Sequence, residues 1–169
     1  VDHLYASSVF IPYILNMNVE NLVVASPDMG GSKRANTYAK FLKSPMVITY
    51  KSREKANIVG EMKVIGEVKG KNVIIMDDMI DTAGTLTKAA NIMKEQGALS
   101  VRAFATHAVL SGPAYDRINN SALTEIIVTD SIPLKQHSEK IKVLSISDLF
   151  ADVIKRVYNF QSISSTYIS

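Results

Sequence analysis

Short apolar runs alternate with amphipathic stretches along most of the chain, and this alternation constrains the fold more than any other feature. "NLVVAS" (21–26), "PMVITY" (45–50), "NVIIM" (72–76), "SVRAFATHA" (100–108) and "LTEIIVTD" (123–130) read as buried strands. Between them lie segments with helical spacing. "GGSKRANTYAKFLKS" (30–44) puts Ala35, Tyr38, Ala39 and Leu42 on one face. "TLTKAANIMKEQG" (85–97) turns Leu86, Ala89, Ala90 and Met93 inward, with Gly97 as its stop. "GPAYDRINNS" (112–121) starts a helix with Pro113 at the first helical position, and "SISDLFADVIKRVYN" (145–159) is a last helix with Ser147 as its cap. Pro12 leaves the first helix unassigned, as is the stretch 51–71. Strands alternating with helices predict an α/β domain, a parallel sheet with helices on both faces. Ligands in such folds collect at the carboxyl ends of the strands. Three polar clusters fall there: "SPDMGGS", "KSREKAN" and "DDMIDTAGT".

Composition narrows the function classes. The 169 residues suffice for one domain with a real core. The chain has no cysteine, which excludes a disulfide framework and thiolate zinc sites and fits a reducing, cytoplasmic setting. A net charge of +3 with no dense basic block gives no reason to expect nucleic acid as a partner. No apolar stretch is long enough to span a bilayer, so no membrane is expected either. The chain opens on Val1, in "VDHLYASSVFIPYIL", which reads like the middle of a longer protein.

The stretch "NVIIMDDMIDTAGTLTKAA" (72–90) carries the chemistry. One aspartate in it would fit a capped turn. Asp77, Asp78 and Asp81 together fit that account poorly, because like charges repel and partial burial raises the cost. "DTAGT" can curl so that successive backbone N–H groups face inward at a helix start, with the Thr82 and Thr85 hydroxyls as further donors. Ala83 and Gly84 are small enough for an anion to approach the backbone. That is a phosphate cradle. Asp77 and Asp78, at the strand's end, can accept hydrogen bonds from vicinal hydroxyls or hold Mg²⁺. A sugar phosphate such as ribose 5-phosphate suits both environments. A nucleotide triphosphatase is disfavoured, because the chain lacks a GxxxxGK[ST] loop.

"VIIMDDMIDTAGT" resembles the phosphoribosyl-diphosphate loop of the type I phosphoribosyltransferase fold. "VVASPDMGGSKRA", "YKSREKANIVGEM", "ATHAVLSGPA" and the tail "QSISSTY" make the chain similar to the ribose-phosphate pyrophosphokinase family over essentially its whole length. The resemblance implies that residues 1–169 form a single phosphoribosyltransferase-like domain, the C-terminal half of a two-domain enzyme. It implies transfer of the diphosphoryl group of ATP to ribose 5-phosphate, with Mg²⁺ required, in a homo-oligomer, commonly a hexamer. By position, Asp77, Asp81, Thr82, Ala83, Gly84 and Thr85 match the ribose 5-phosphate site, with Asp78 beside it. Asp28 matches a residue facing metal and ribose. Lys51 and Arg53 match the catalytic cations of a mobile loop, although Ser52 and Glu54 make that loop less basic than the family's. The tail serines resemble part of an allosteric site, from which Thr166 and Tyr167 depart. The residues alone leave His107 without a role. A phosphoribosyltransferase that consumes phosphoribosyl diphosphate, and a non-catalytic associated subunit, are the competing expectations.

Overall fold

A computed structural model of the chain describes residues 2–52 and 61–163. Its elements run α1 (Ser7–Asn16), β1 (Leu22–Ser26), α2 (Ser32–Phe41), β2 (Met46–Ser52), β3 (Glu61–Ile65), β4 (Asn72–Ile80), α3 (Gly84–Glu95), β5 (Ser100–Ala108), α4 (Ala114–Asn119), β6 (Glu125–Thr129), β7 (Ile141–Leu144) and α5 (Ser147–Tyr158). The strands form one sheet in the order β3-β2-β1-β4-β5-β6-β7. Every neighbouring pair is parallel except β2 and β3, which are antiparallel.

The central strands are apolar on both sides because helices cover both faces. Val24, Ile74, Met76, Phe104 and Ile127 pack beneath α1 and α2, against Phe10, Ile14, Ala35 and Tyr38. Val23, Ile75, Val101, Ala103 and Val128 face the other way, toward Leu86, Ala89 and Met93 of α3 and Ile118 of α4. Burial of these side chains is the main stabilising term.

The five expected strands are present, and two more join them at the sheet's edges. β3 carries no apolar run because charged residues interrupt it: Met62 and Val64 pack toward the core, while Ile65 is exposed. It turns the expected all-parallel sheet into one with an antiparallel edge. β4 runs four residues past its expected end, because β5 pairs with it as far as Ile80↔Ala108. α1 forms with Pro12 inside it.

Helix ends follow local chemistry. α3 stops as expected: Gly97 has φ 92°, and the Gly97 and Ala98 amides donate to the Lys94 and Met93 carbonyls. Pro113 precedes α4 as its cap and is not its first residue. Ser147 does not cap α5. The Ser147 amide donates to Ser145 Oγ, and the Ile146 amide donates to Asp130 Oδ1.

Candidate functional site

The site grows from the end of β4. β1 pairs with β4 only as far as Ala25↔Ile75, whereas β5 continues beside it, through Asp77↔Ala105, to Ile80. Beyond Ile75, β4 therefore has a side that β1 does not occupy. The first turn of α2 reaches across there. Arg34 donates from Nη1 to Asp77 Oδ1 at 3.1 Å, and its Nη2 lies 2.9 Å from Asp78 Oδ2. The acids expected at a strand's end thus lie within β4 and are already held by a guanidinium.

Their backbone holds them as well. The Asp78 amide donates to Asp77 Oδ1 at 2.9 Å, and the Met79 amide to Asp78 Oδ1 at 2.8 Å. Their environments differ, with side-chain exposures of 27% for Asp77 and 56% for Asp78. Burial pushes the Asp77 carboxyl up to about 6, with the Asp78 carboxylate adding to the rise and Arg34 opposing it. Burial also acts upward on Asp78, but Arg34 and the hydrogen bonds from Asp77 and the backbone outweigh it and hold Asp78 below the usual carboxylate range. Asp77 is the member of the pair that takes up a proton first.

The turn after β4 is open. Asp81 and Thr82 are exposed, and Gly84 and Thr85 are half-buried. The Leu110 and Ser111 amides donate to the Ile80 and Asp81 carbonyls, and Ser111 Oγ donates to Asp81 Oδ1. Ala83 is buried in the left-handed conformation at φ 58°, a strained choice for a non-glycine residue. It bends the chain into α3, whose N-terminus has no side-chain cap. First-turn amides without a cap are the groups that bind anions. Arg117 of α4 donates from Nη1 to the Thr82 carbonyl at 2.9 Å. A Cβ at Gly84 would lie 3.1 Å from that nitrogen, so glycine there lets the guanidinium approach the loop.

Asp28 lies at the end of β1. Its Oδ1 accepts the Gly31 amide at 2.8 Å, and its carbonyl accepts Ser26 Oγ at 2.6 Å. This turn needs glycine, because a Cβ at Gly31 would lie 2.8 Å from Ser26 Oγ. Asp28 shares a cleft of about 360 Å³ with Pro27, Met29, Gly30, Tyr50, Met62 and Thr85. The cleft joins the Asp28 turn to the α3 loop. Among the described residues, His, Asp and Glu side chains form no group of three placed to hold a metal. One exposed carboxylate still fits Mg²⁺, which keeps several waters and takes one or two carboxylates together with substrate phosphates.

Asp28, Asp77, Asp78, Asp81, Thr82, Ala83, Gly84 and Thr85 therefore gather at the carboxyl ends of the central strands β1 and β4. Lys51 belongs to β2, paired with Met62 of β3, so its backbone is strand where a loop was expected. The Lys51 side chain and all of Arg53 lie outside the described residues, as do the tail residues from Ser164 onward. His107 bonds Ser131 Oγ at 2.9 Å. Arg34, Arg117 and Ser111 were missed by sequence reasoning. Arg34 follows the "SPDMGGS" turn closely enough to have been suspected. Arg117 is brought in by the fold from 35 residues away.

The chain is 59% identical over 168 residues to a ribose-phosphate pyrophosphokinase of Porphyromonas gingivalis, an alignment covering 99% of this chain and 54% of the relative. It superposes on the crystal structure of phosphoribosylpyrophosphate synthetase from Mycobacterium smegmatis with a TM-score of 0.86 at 37% identity, covering 95% of this chain and 53% of that one. The chain spans about half the length of the curated relatives it matches. A purine phosphoribosyltransferase from Pyrococcus horikoshii Ot3 shares the fold, with a TM-score of 0.54 at 15% identity over 83% of this chain and 84% of the other. The model of the phosphoribosyl synthetase-associated domain matches residues 49–168, which include the acidic strand end, the open turn and the Arg117 contact. By that match over most of its length, the chain belongs to the phosphoribosyl synthetase-associated domain family.

Proposed function

We propose that this chain is part of an enzyme that transfers the β,γ-diphosphoryl group of ATP to the C1 hydroxyl of ribose 5-phosphate, yielding phosphoribosyl diphosphate and AMP. One observation carries the reading: two adjacent carboxylates on β4 lead within a few residues into an uncapped helix start. A ligand with a diol at one end and a phosphate at the other matches that junction. Family membership and the names of the close relatives support it.

In this reading Asp77 and Asp78 accept hydrogen bonds from the ribose hydroxyls. Asp81, Thr82, Ala83, Gly84 and Thr85 form the turn that receives the 5-phosphate. The C1 oxygen attacks the β-phosphorus of ATP, the bond from that phosphorus to the α–β bridging oxygen breaks, AMP departs and the C1 hydroxyl proton is lost. Lys51 and Arg53 stabilise charge on the migrating group, the term that dominates such transfers. Asp28 would contribute a carboxylate to Mg²⁺, which supplies charge neutralisation on the phosphates when bound. The cleft between Asp28 and Thr85 has room for part of the nucleotide.

The proposal includes a second domain, since the relatives are about twice as long, and assembly into a homo-oligomer. A cytoplasmic setting is proposed from the absence of cysteine. No helix among the described residues is long and apolar enough to cross a membrane.

The test is calorimetric titration of the intact protein with ribose 5-phosphate and Mg²⁺, paired with an assay for AMP release from ATP. Binding and AMP release are expected, and an Asp77→Asn, Asp81→Asn double variant should lose both. Unchanged binding in that variant would overturn the reading.

A further inference from the structure

Two neighbouring carboxylates on one strand repel each other, and a diol can be gripped only if both hold a fixed direction. Arg34 answers that need geometrically. Its two terminal nitrogens fork onto two different residues, Nη1 to Asp77 Oδ1 and Nη2 to Asp78 Oδ2. The planar guanidinium fixes the distance and direction between those oxygens in a way an ammonium would not. Arg34 is itself anchored in the first turn of α2, directly after the Asp28 turn. A Cβ at Gly31 would lie 3.5 Å from Arg34 Nη1 and 3.6 Å from Asp28 Oδ1, so one glycine separates the guanidinium from the third acid. The arginine therefore links the β1 turn to the β4 acids.

The acids keep capacity for a ligand. A carboxylate offers about four acceptor positions. Among the described residues, and with both acids ionised, Asp77 uses two of them, for Arg34 and the Asp78 amide, and Asp78 uses two, for Arg34 and the Met79 amide. Roughly half of the acceptor positions of the pair remain. With Arg34 at 33% exposure the fork sits at the surface of the site and does not seal it.

We infer that Arg34 is a positioning residue for sugar recognition: from α2 it aligns Asp77 and Asp78 and offsets their repulsion, so that the pair selects a vicinal diol. This rests on the reading of Asp77 and Asp78 as the ribose-binding acids. Arg34 acts through them and is given no contact with the sugar.

The test compares ribose 5-phosphate with 2-deoxyribose 5-phosphate, which lacks one hydroxyl of the diol, by calorimetry on the intact protein with Mg²⁺ present. The wild-type protein should prefer ribose 5-phosphate. Arg34→Gln should lower ribose 5-phosphate affinity by about tenfold, in line with a half-exposed charge-assisted pair. It should leave the deoxy sugar nearly unchanged, so that the preference collapses. Arg34→Lys, which keeps the charge and the packing of the stem, should fall between the two and carries the comparison if Arg34→Gln does not fold. A merely structural role would weaken both sugars together and leave their ratio intact, and that result would overturn the inference while leaving the site reading standing. Equal affinity of the wild-type protein for the two sugars would instead remove the diol reading and the inference with it.

Discussion

Two clusters on this sheet join carboxylates to cations, and they are built to opposite effect. On β5, β6 and β7, Glu125 stands between Arg102 Nε and Lys142 Nζ, each at 2.7 Å. One acid meets two bases there, in direct register between Arg102 and Glu125. Arg102 donates onward to Ser100 Oγ, which donates to Asn72 Oδ1. Burial acts upward on Glu125, but its two cations and their hydrogen bonds outweigh that and hold its carboxyl below the usual range. On β4 the ratio is reversed: among the described residues two acids share one base, and Asp77 is pushed up to about 6. In the first cluster two cations outnumber one acid, and the Glu125 side chain is only 12% exposed. In the second, among the described residues, negative charge is in excess, and Asp77 and Asp78 are more exposed, at 27% and 56%, near the carboxyl end of β4. Structural ion pairs settle their own charge, whereas a binding site leaves charge for a ligand to settle.

The largest effect that would break this contrast is on sugar affinity. Asp77→Asn with Asp78→Asn in the intact protein should weaken ribose 5-phosphate binding by about 100-fold or more, since hydrogen bonds to charged groups are each worth roughly 1.5–3 kcal/mol. Glu125→Gln should leave that affinity unaltered in the same titration. If both sets of variants bound the sugar alike, the distinction between an acid outnumbered by bases and acids that outnumber their base would carry no functional content.

Proton linkage separates the clusters next. Asp77 has a folded-state value above its ordinary 3.8, so its protonated form is favoured by folding. Its stabilising contribution is present at low pH and is lost as pH rises from about 4 through about 6. The loss should be on the order of 2 kcal/mol, allowing for its partial exposure. Glu125 is shifted downward, so its contribution is present above the ordinary glutamate range and is lost as pH falls through its depressed folded value. Chemical denaturation across pH 3–7 should show the two slopes. Asp77→Asn should flatten the decline between pH 4 and 6, and Glu125→Gln should reduce the loss at the acid end. An unaltered profile in Asp77→Asn would mean that its carboxyl is not held up by burial.

The sequence made one cluster legible and hid the other for a physical reason. Asp77, Asp78 and Asp81 announce themselves because charge that follows "NVIIM" breaks a local pattern. Arg102, Glu125 and Lys142 sit one per strand, and each looks like the polar residue of an ordinary strand until pairing brings them together. The same limit hid Arg117, whose contact with Thr82 depends on where α4 packs. Helix faces such as Leu86, Ala89, Ala90 and Met93 were readable because periodicity is local, and all four are buried. β3 and β7 were not, since an edge strand with polar residues lacks the apolar run that marks a central one. Asp28 was found, but that its Oδ1 binds the Gly31 amide depends on backbone geometry.

The smallest expected effect tests whether the phosphate end is as open as the acid end. Gly84 is the first residue of α3 and is not among the glycines with positive φ, so alanine there carries no backbone penalty. Its added methyl would lie 3.1 Å from Arg117 Nη1, the far end of a flexible side chain that can move. Stability should therefore change by less than about 1 kcal/mol in either direction. The methyl would lie 3.8 Å from Thr82 Oγ1, and the Arg117 hydrogen bond to the Thr82 carbonyl would loosen. Affinity for ribose 5-phosphate should fall by roughly three- to tenfold, as expected for one weakened charge-assisted contact. Thermal unfolding and calorimetry on Gly84→Ala read the two quantities separately. A loss of stability with unchanged affinity would place Gly84 and Arg117 with Arg102, Glu125 and Lys142, as a closed structural contact and not as part of a cradle.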